Sequence, residues 1–167
     1  MKIFKEEQRF TQLWLIVLLS VSVFVPMVII IREYTKEGAT LSTAGFIKSI
    51  VLIVGSILLI FVFKLTTRID EKGVHYQFFP FHFKLKTIEW KEMKKAFVRT
   101  YSPITEYGGW GLKGGWSKAR GKAINVSGDI GIQLELANGK KLLIGTQKKT
   151  EAERVLETYK TKLHQHD

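Results

Sequence analysis

The sequence predicts an α-helical transmembrane hairpin followed by a mainly-β domain, in which about seven antiparallel strands form a bent sheet or small barrel capped by one C-terminal amphipathic helix. Three observations support this fold class. Two long apolar runs lie within the first 63 residues, alternation of apolar and polar residues follows them, and the last segment changes to a helical period. The 167 residues leave room for one small domain after the spans.

The first apolar run extends from Leu13 to Ile31 and is interrupted only by Ser20, Ser22 and Pro26. A helix of this length crosses the hydrocarbon core of a bilayer, which is about 30 Å thick. A cleaved secretory signal peptide is the alternative. The run is longer than the apolar core of such peptides, and no Ala-x-Ala-like cleavage site follows it, so an uncleaved spanning helix is favoured.

The second apolar run covers residues 47–63 and contains one charged residue, Lys48, close enough to one end for its amine to reach the head-group layer. The connection over residues 32–46 is short, so the two helices are predicted to be antiparallel with both termini on one side. Neither span contains an Asp, Glu, His or Arg of the kind that marks a proton relay or a substrate path. This argues against a transporter or pump.

Basic residues in the flanks predict the orientation of the hairpin. The flanks on the side of the termini carry Lys2, Lys5, Arg9, Lys64, Arg68 and Lys72, and the loop side carries Arg32, Lys36 and Lys48. By the positive-inside rule, both termini are predicted to be cytoplasmic. The predicted order is a cytoplasmic N-terminal flank at 1–12, a first span at 13–31, an extracytoplasmic loop at 32–46, a second span at 47–63 and a cytoplasmic domain at 64–167.

Period-two alternation predicts the strands of this domain. The first two are predicted at 65–69 and 74–78, on either side of a turn at Glu71-Lys72-Gly73, and further strands at 83–87 and 96–102, the latter ended by Pro103. The remaining strands are predicted at 122–126, 130–136 and 140–146.

Asn138-Gly139, between the last two predicted strands, is the signal of a type I′ hairpin turn. The final segment then has a helical stripe, consisting of Ala152, Val155, Leu156, Tyr159 and Leu163. Thr150-x-x-Glu153 matches a capping box, which predicts that the helix begins at Thr150.

Several short segments carry a family resemblance. They are Thr66 to Val74 at the start of the domain, Ile88-Glu89-Trp90 before the fourth strand, and Ile144 to Gln147 before the helix. With the order of the elements, they are similar to the bacterial pleckstrin-homology-like (PH-like) domains attached to paired transmembrane helices. The resemblance covers residues 65–163. It implies a superroll fold located at the inner (plasma) membrane, in a family whose members mostly lack an assigned activity.

One departure from lipid-binding eukaryotic relatives of this fold affects the expected function. In those relatives a basic loop between the first two strands holds the phosphoinositide, whereas here the predicted loop is Glu71-Lys72-Gly73, which is short and half acidic. Head-group binding in that manner is therefore not expected.

Charge is very unevenly distributed along the chain. The net charge is +11, and residues 1–63 carry six basic and four acidic side chains while residues 64–167 carry twenty and eleven. Such a basic domain attracts polyanions, either the head groups of an anionic membrane or nucleic acid. Because two spans already place the chain in a bilayer, the membrane surface is favoured as partner and nucleic acid is not. A protein partner or a second copy of the chain remains open.

The Gly/Trp segment, residues 107–122, is the candidate contact site. Its side chains predicted to contact the membrane or a partner are Trp110, Leu112, Lys113, Trp116, Lys118, Arg120 and Lys122. Tryptophan favours the head-group layer and each cation near an anionic surface contributes about 1 kcal/mol. The simpler alternative is that both tryptophans pack on the sheet and the cations are solvated.

Glycine spacing in this segment also matches a nucleotide-binding pattern, Gly109-x-Gly111-x-x-Gly114. No βαβ unit is predicted around it, so no nucleotide cofactor is expected. The chain has no cysteine, and His75 and His82, on adjoining predicted strands, are too few for a metal site. With no catalytic constellation recognised, the sequence favours a non-enzymatic interaction module. The alternative is a membrane enzyme, or a subunit of one, with its site near residues 107–122.

Overall fold

The structure is a computed structural model that describes residues 2–38, 40–114 and 121–163. It contains two compact units. The β unit consists of Met1–Arg9 together with Lys64–Asp167, and the helical unit consists of Phe10–Phe63. The chain therefore leaves the β unit after its first strand and returns to it 54 residues later.

The helical unit contains α1 (Leu13–Thr35) and α2 (Thr43–Val62). Both helices are long and apolar enough to cross a membrane. Within the described part of the chain, protein buries no residue of either helix, and large side chains such as Leu13, Phe24 and Leu52 are exposed.

The helices extend past the predicted spans, so the connection is shorter than predicted. Residues 32–35 continue α1 and residues 43–46 begin α2. The apolar run sets the length of a predicted span, whereas the helix itself can continue through polar residues. Across the connection, the Tyr34 ring stacks on Phe46 at 4.3 Å, and its hydroxyl lies 3.2 Å from the Thr43 hydroxyl. Hydroxyls inside the apolar runs bond to carbonyls of their own helix, as Ser20 Oγ does to Ile16 O at 2.8 Å.

The first sheet has four antiparallel strands in chain order: β1 (Phe4–Arg9), β2 (Lys64–Ile69), β3 (Gly73–Phe79) and β4 (Lys86–Glu89). The predicted hairpin between β2 and β3 is present, and Asp70 and Gly73 exchange backbone hydrogen bonds across its turn. Gly73 is required there because its φ is 153° and a Cβ would lie 2.1 Å from Ile88 O.

Strand β1 corrects the prediction that residues 1–12 form a separate flank. Its inward side carries Phe4, Glu6 and Gln8, all buried, so two of the three inward positions are polar and no apolar alternation marks the strand. Glu6 and the amide nitrogen of Gln8 have hydrogen-bond partners far along the chain, whereas Gln8 Oε1 is buried without one. Glu6 accepts hydrogen bonds from Thr146 Oγ1 at 2.6 Å and from Gln147 N at 2.8 Å, and Gln8 Nε2 donates to Gly145 O at 2.8 Å.

The second sheet has five strands in the order β5-β8-β9-β7-β6. They are β5 (Met93–Thr100), β6 (Gly111–Lys113), β7 (Lys122–Asn125), β8 (Ile130–Leu136) and β9 (Lys141–Gly145). A one-turn 3₁₀ helix (Trp90–Glu92) joins the sheets, and α3 (Pro103–Tyr107) follows β5. The described chain thus has nine strands rather than about seven, in two sheets that do not close into one barrel, and β7 pairs with β9 in parallel rather than antiparallel.

The turn between β8 and β9 differs from the predicted type I′ turn. Gly139 N donates to Leu136 O at 3.0 Å, and Leu136 N donates to Lys140 O at 2.8 Å. Gly139 has a φ of 78°, and among the described residues only glycines have positive φ. A type I′ turn requires positive φ at Asn138 as well. The loop is therefore a three-residue turn that ends in a glycine bulge.

Helix α4 (Lys149–Leu163) covers the core, and four residues of its predicted stripe, Ala152, Val155, Leu156 and Tyr159, are buried. It begins one residue before the predicted Thr150 cap. Tyr159 connects it to the rest of the unit, since its ring stacks on Trp90 at 5.3 Å and its hydroxyl donates to Lys2 O at 2.7 Å. Trp90 Nε1 in turn donates to Asp70 O at 3.0 Å.

The pairing of β1 with β2 predicts how the β unit can be isolated. Arg9 lies opposite Lys64, so a Gly/Ser linker of about four residues can replace residues 10–63. We expect this linked β unit to fold, and the fragment 64–167 to be less stable by at least about 3 kcal/mol, because it lacks the fully buried Phe4. Urea unfolding followed by circular dichroism measures the difference. Equal stability of the two proteins would contradict the role of β1.

Candidate functional site

The aromatic loop, residues 80–85, connects β3 to β4 and exposes large apolar side chains. Phe81 is 59% exposed, Phe83 79% and Leu85 44%, and the neighbouring Lys84 and Lys86 are exposed as well. Three such side chains within five residues form an apolar surface of the kind that marks a contact with a protein or a membrane.

Hydrogen bonds fix the backbone of the aromatic loop. His82 N donates to Phe78 O at 2.8 Å, and Gln77 Nε2 donates to His82 O at 3.2 Å and to Phe83 O at 3.0 Å. Phe81 also stacks on the buried Phe78 with the ring centroids 5.9 Å apart. The exposed side chains are therefore presented by an ordered loop.

The strand register places the start of this loop beside both chain connections to the helical unit. Phe79, the last residue of β3, lies opposite Lys64, and Lys64 lies opposite Arg9. At about 4.8 Å per strand, Phe79 is about 10 Å from Arg9. Lys64 is two residues from the end of α2, and Arg9 is four residues from the start of α1.

Positive charge surrounds the aromatic loop. Partial burial lowers the pKa of His82, and the nearby charges of Lys86 and Lys122 lower the pKa further. These two lysines belong to different sheets, Lys86 to β4 and Lys122 to β7. The first residue of β7 therefore contributes to the same positive potential as the aromatic loop.

The structure spreads the described part of the predicted Gly/Trp site along the outer edge of the second sheet. Residues 111–113 form strand β6 instead of a loop, with Leu112 opposite Ile124 in β7. Leu112 and Lys122 are exposed, Lys113 is half-buried, and Trp110 is half-buried with its Nε1 donating to Gly128 O at 3.1 Å. The Trp110 contact agrees with the packing alternative for that ring. Trp116, Lys118 and Arg120 lie outside the described residues.

A buried asparagine attaches this edge to the core. Asn125, which is fully buried, accepts from Gly111 N at 2.8 Å and donates to the Tyr101 hydroxyl at 2.8 Å. Burial raises the pKa of Tyr101 to about 12, although the bond from Asn125 lowers it. Tyr101 is therefore a neutral phenol at physiological pH, where it serves as a structural acceptor.

The two histidines singled out in the sequence have separate environments. His75 Nε2 lies 2.9 Å from Asp70 Oδ1 and its Nδ1 lies 2.8 Å from Thr87 Oγ1, whereas His82 belongs to the aromatic loop and contacts the ring of Tyr76. Among the described residues, no group of three or more His, Asp or Glu side chains can hold a metal ion.

Asp70, His75 and Thr87 form a series of hydrogen bonds that the sequence did not predict. We interpret this series as structural. A cavity of about 360 Å³ lies beside Asp70 and His75, but Thr87 does not line it. Arg68 Nε, at 3.0 Å, and Lys72 N, at 2.9 Å, also bind the Asp70 carboxylate. Burial acts to raise the pKa of Asp70, but the hydrogen bonds with His75 and Lys72 N and the charges of His75 and Arg68 outweigh it, so the pKa is lowered.

Compared with known proteins, the chain matches no family model, no curated protein and no solved structure.

The lowered pKa of Asp70 predicts a pH-dependent contribution to stability. An ionised Asp70 stabilises the folded state above the pKa of an unfolded aspartate, about 3.9, and the contribution is lost as pH falls through the lower folded value. We expect Asp70→Asn to reduce the stability of the linked β unit by about 1–3 kcal/mol at pH 7, and the difference to narrow below about pH 4.

Urea unfolding at pH 7 and pH 3 tests this expectation. Glu157→Gln is the matched control, because Glu157 forms an exposed pair with Lys160 that contributes about 0.5 kcal/mol or less. A difference between Asp70→Asn and the unsubstituted protein that is the same at both pH values would contradict the assignment.

Proposed function

We propose that this chain is an integral protein of the inner (plasma) membrane that presents its β unit in the cytoplasm as a non-catalytic interaction module for anionic lipid head groups. In this proposal α1 and α2 span the bilayer and both termini are cytoplasmic. The observation that carries it is the aromatic loop, an ordered apolar and cationic surface that begins one strand spacing from the Lys64 connection and two from the Arg9 connection to the helices.

Exposed apolar surface supports the membrane part of the proposal. Large apolar side chains cover α1 and α2, and protein buries none of them in the described chain. Such surface is stable in hydrocarbon but not in water. The hydroxyls of Ser20, Ser22 and Ser56 bond to the backbone of their own helix, as polar groups in a bilayer require.

The PH-like fold remains part of the proposal. Its support is the order of elements in the β unit, which is an antiparallel four-stranded sheet, a second sheet and a C-terminal amphipathic helix packed on the core. With β1 included, the spans are an insertion between the first two strands of this fold.

Short tethers make weak surface contacts sufficient. Inserting one aromatic ring such as Phe83 into the bilayer contributes about 1.5–3 kcal/mol, and each lysine near anionic lipid about 1 kcal/mol. Alone, these contributions give weak binding. Because the connections to the spans are only one and three residues long, the contact is intramolecular and its effective concentration is high.

The absence of native cysteine allows the proposed topology to be tested directly. We expect a membrane-impermeant maleimide to label Glu37→Cys, in the α1–α2 connection, on intact cells or right-side-out vesicles. Glu157→Cys, exposed on α4, should be labelled only after permeabilisation. The chain without introduced cysteine is the background control. Labelling of Glu157→Cys before permeabilisation would refute a cytoplasmic β unit.

Contact of the aromatic loop with the bilayer is tested on the full chain in nanodiscs. An environment-sensitive dye on Phe83→Cys should be quenched by about half by nitroxide lipids in discs containing phosphatidylglycerol, because the loop inserts into the interface. The matched control is the same dye on Ile104→Cys, which replaces another exposed apolar residue, 66% exposed, on α3. Equal quenching at both positions, or none at residue 83, would contradict docking by this loop.

A further inference from the structure

A cationic groove lies between the two sheets of the β unit, and no function has so far been assigned to it. Its volume is about 560 Å³. Ile88, Leu136 and Leu142 give it an apolar lining, Tyr76 contributes a phenol, and Lys122, Lys140 and Lys141 are also among its lining residues. The Lys141 side chain lies on the sheet face opposite to Leu142 and pairs with Glu135, so Lys122 and Lys140 are the cations available to a ligand. We name this space the lysine groove.

Backbone geometry brings the lysines of the groove together. Lys122 pairs with Leu142 in the parallel register of β7 and β9, and Lys140 directly precedes β9, which begins at Lys141. Gly121 has a φ of 75°, and a Cβ there would lie 2.3 Å from Lys141 O, so the chain before Lys122 passes directly against Lys141. Asn138 Oδ1 accepts from Lys140 N at 3.0 Å and holds the turn.

The charge of the lysine groove is largely uncompensated. No carboxylate is among its described lining residues, and within the described part of the chain Lys122 and Lys140 form no ion pair. Lys141 pairs with Glu135 at 3.5 Å. Lys86, opposite Tyr76 in the β3–β4 register, adds another cation nearby. The lowered pKa of His82, to which burial, Lys86 and Lys122 contribute, is consistent with this positive potential.

We propose that the lysine groove binds a phosphate ester, with the phosphate held by Lys122 and Lys140 and the organic part lying against Ile88 and Leu142. The volume lies within the range of small-molecule sites, roughly 300–1,000 Å³, and exceeds what a phosphate ion alone requires. Because burial raises the pKa of Tyr76, its phenol keeps the proton that it donates to a phosphate oxygen.

The phosphate has two possible sources, a soluble ester or the head group of an anionic phospholipid. The inference goes beyond the proposed function, since bilayer contact by the aromatic loop does not require an occupied groove. Of the two sources, only the phospholipid head group depends on the proposed function.

The test uses the full chain in nanodiscs of neutral phosphatidylcholine, with glycerol 1-phosphate as the soluble probe and glycerol as its uncharged counterpart. Titration is followed by the amide and side-chain NMR signals of ¹⁵N-lysine. We expect saturable shifts with glycerol 1-phosphate and none with glycerol. The affinity for glycerol 1-phosphate should be lower by about tenfold or more in the double variant Lys122→Ala, Lys140→Ala. A second set of discs containing phosphatidylglycerol tests the lipid source by the same signals.

Lys94→Ala, Lys149→Ala is the control, since both lysines are exposed and it removes the same charge away from the groove. Loss of affinity in the Lys122→Ala, Lys140→Ala variant but not in the control supports the proposal. If the signals shift with phosphatidylglycerol and not with glycerol 1-phosphate, the phosphate comes from the lipid. Equal loss in both variants, or shifts with neither probe, overturns it. Dye quenching at residue 83 is independent of these signals, so failure of the groove and failure of bilayer docking are distinguished.

Discussion

The pairing of β1 with β2 is the constraint on which the rest of this structure depends. It joins residues separated by the whole helical unit, from Phe4 opposite Ile69 to Arg9 opposite Lys64. The pairing completes the first sheet and buries Phe4. It also places Glu6 where it accepts from Thr146 and Gln147, which lead into α4. One strand of six residues thus connects the first sheet, the second sheet and the C-terminal helix.

The local sequence pattern was sufficient to predict the elements whose inward side chains are apolar at regular spacing. Both apolar helices, the β2–β3 and β8–β9 hairpins and the buried stripe of α4 follow from period alone. Strand β1 does not, because its inward residues Glu6 and Gln8 are polar and their partners lie about 140 positions away. Strand β6 is hidden by its short length in a glycine-rich segment. The parallel β7–β9 pairing is a long-range choice that no local pattern specifies.

The candidate site was less predictable than the fold because exposure is a tertiary property. Composition favoured the Gly/Trp segment, yet Trp110 is half-buried and bonded to Gly128 O, and residues 111–113 belong to a strand. Phe83 was predicted to lie in a strand over residues 83–87, and Phe81 lies before that strand. Only the turn made by His82 N to Phe78 O shows that these rings project from the sheet.

An insertion of two long apolar helices between adjacent strands restrains a domain differently from a single terminal anchor. A domain on one tether pivots about that tether, and any of its faces can approach the bilayer. Here both connections leave from one end of the first sheet, at the paired residues Arg9 and Lys64, and they are only three residues and one residue long. If α1 and α2 span a bilayer as proposed, two attachment points at this sheet end restrict the rotation of the β unit instead of one. Contacts too weak to recruit a free domain then suffice to orient this one.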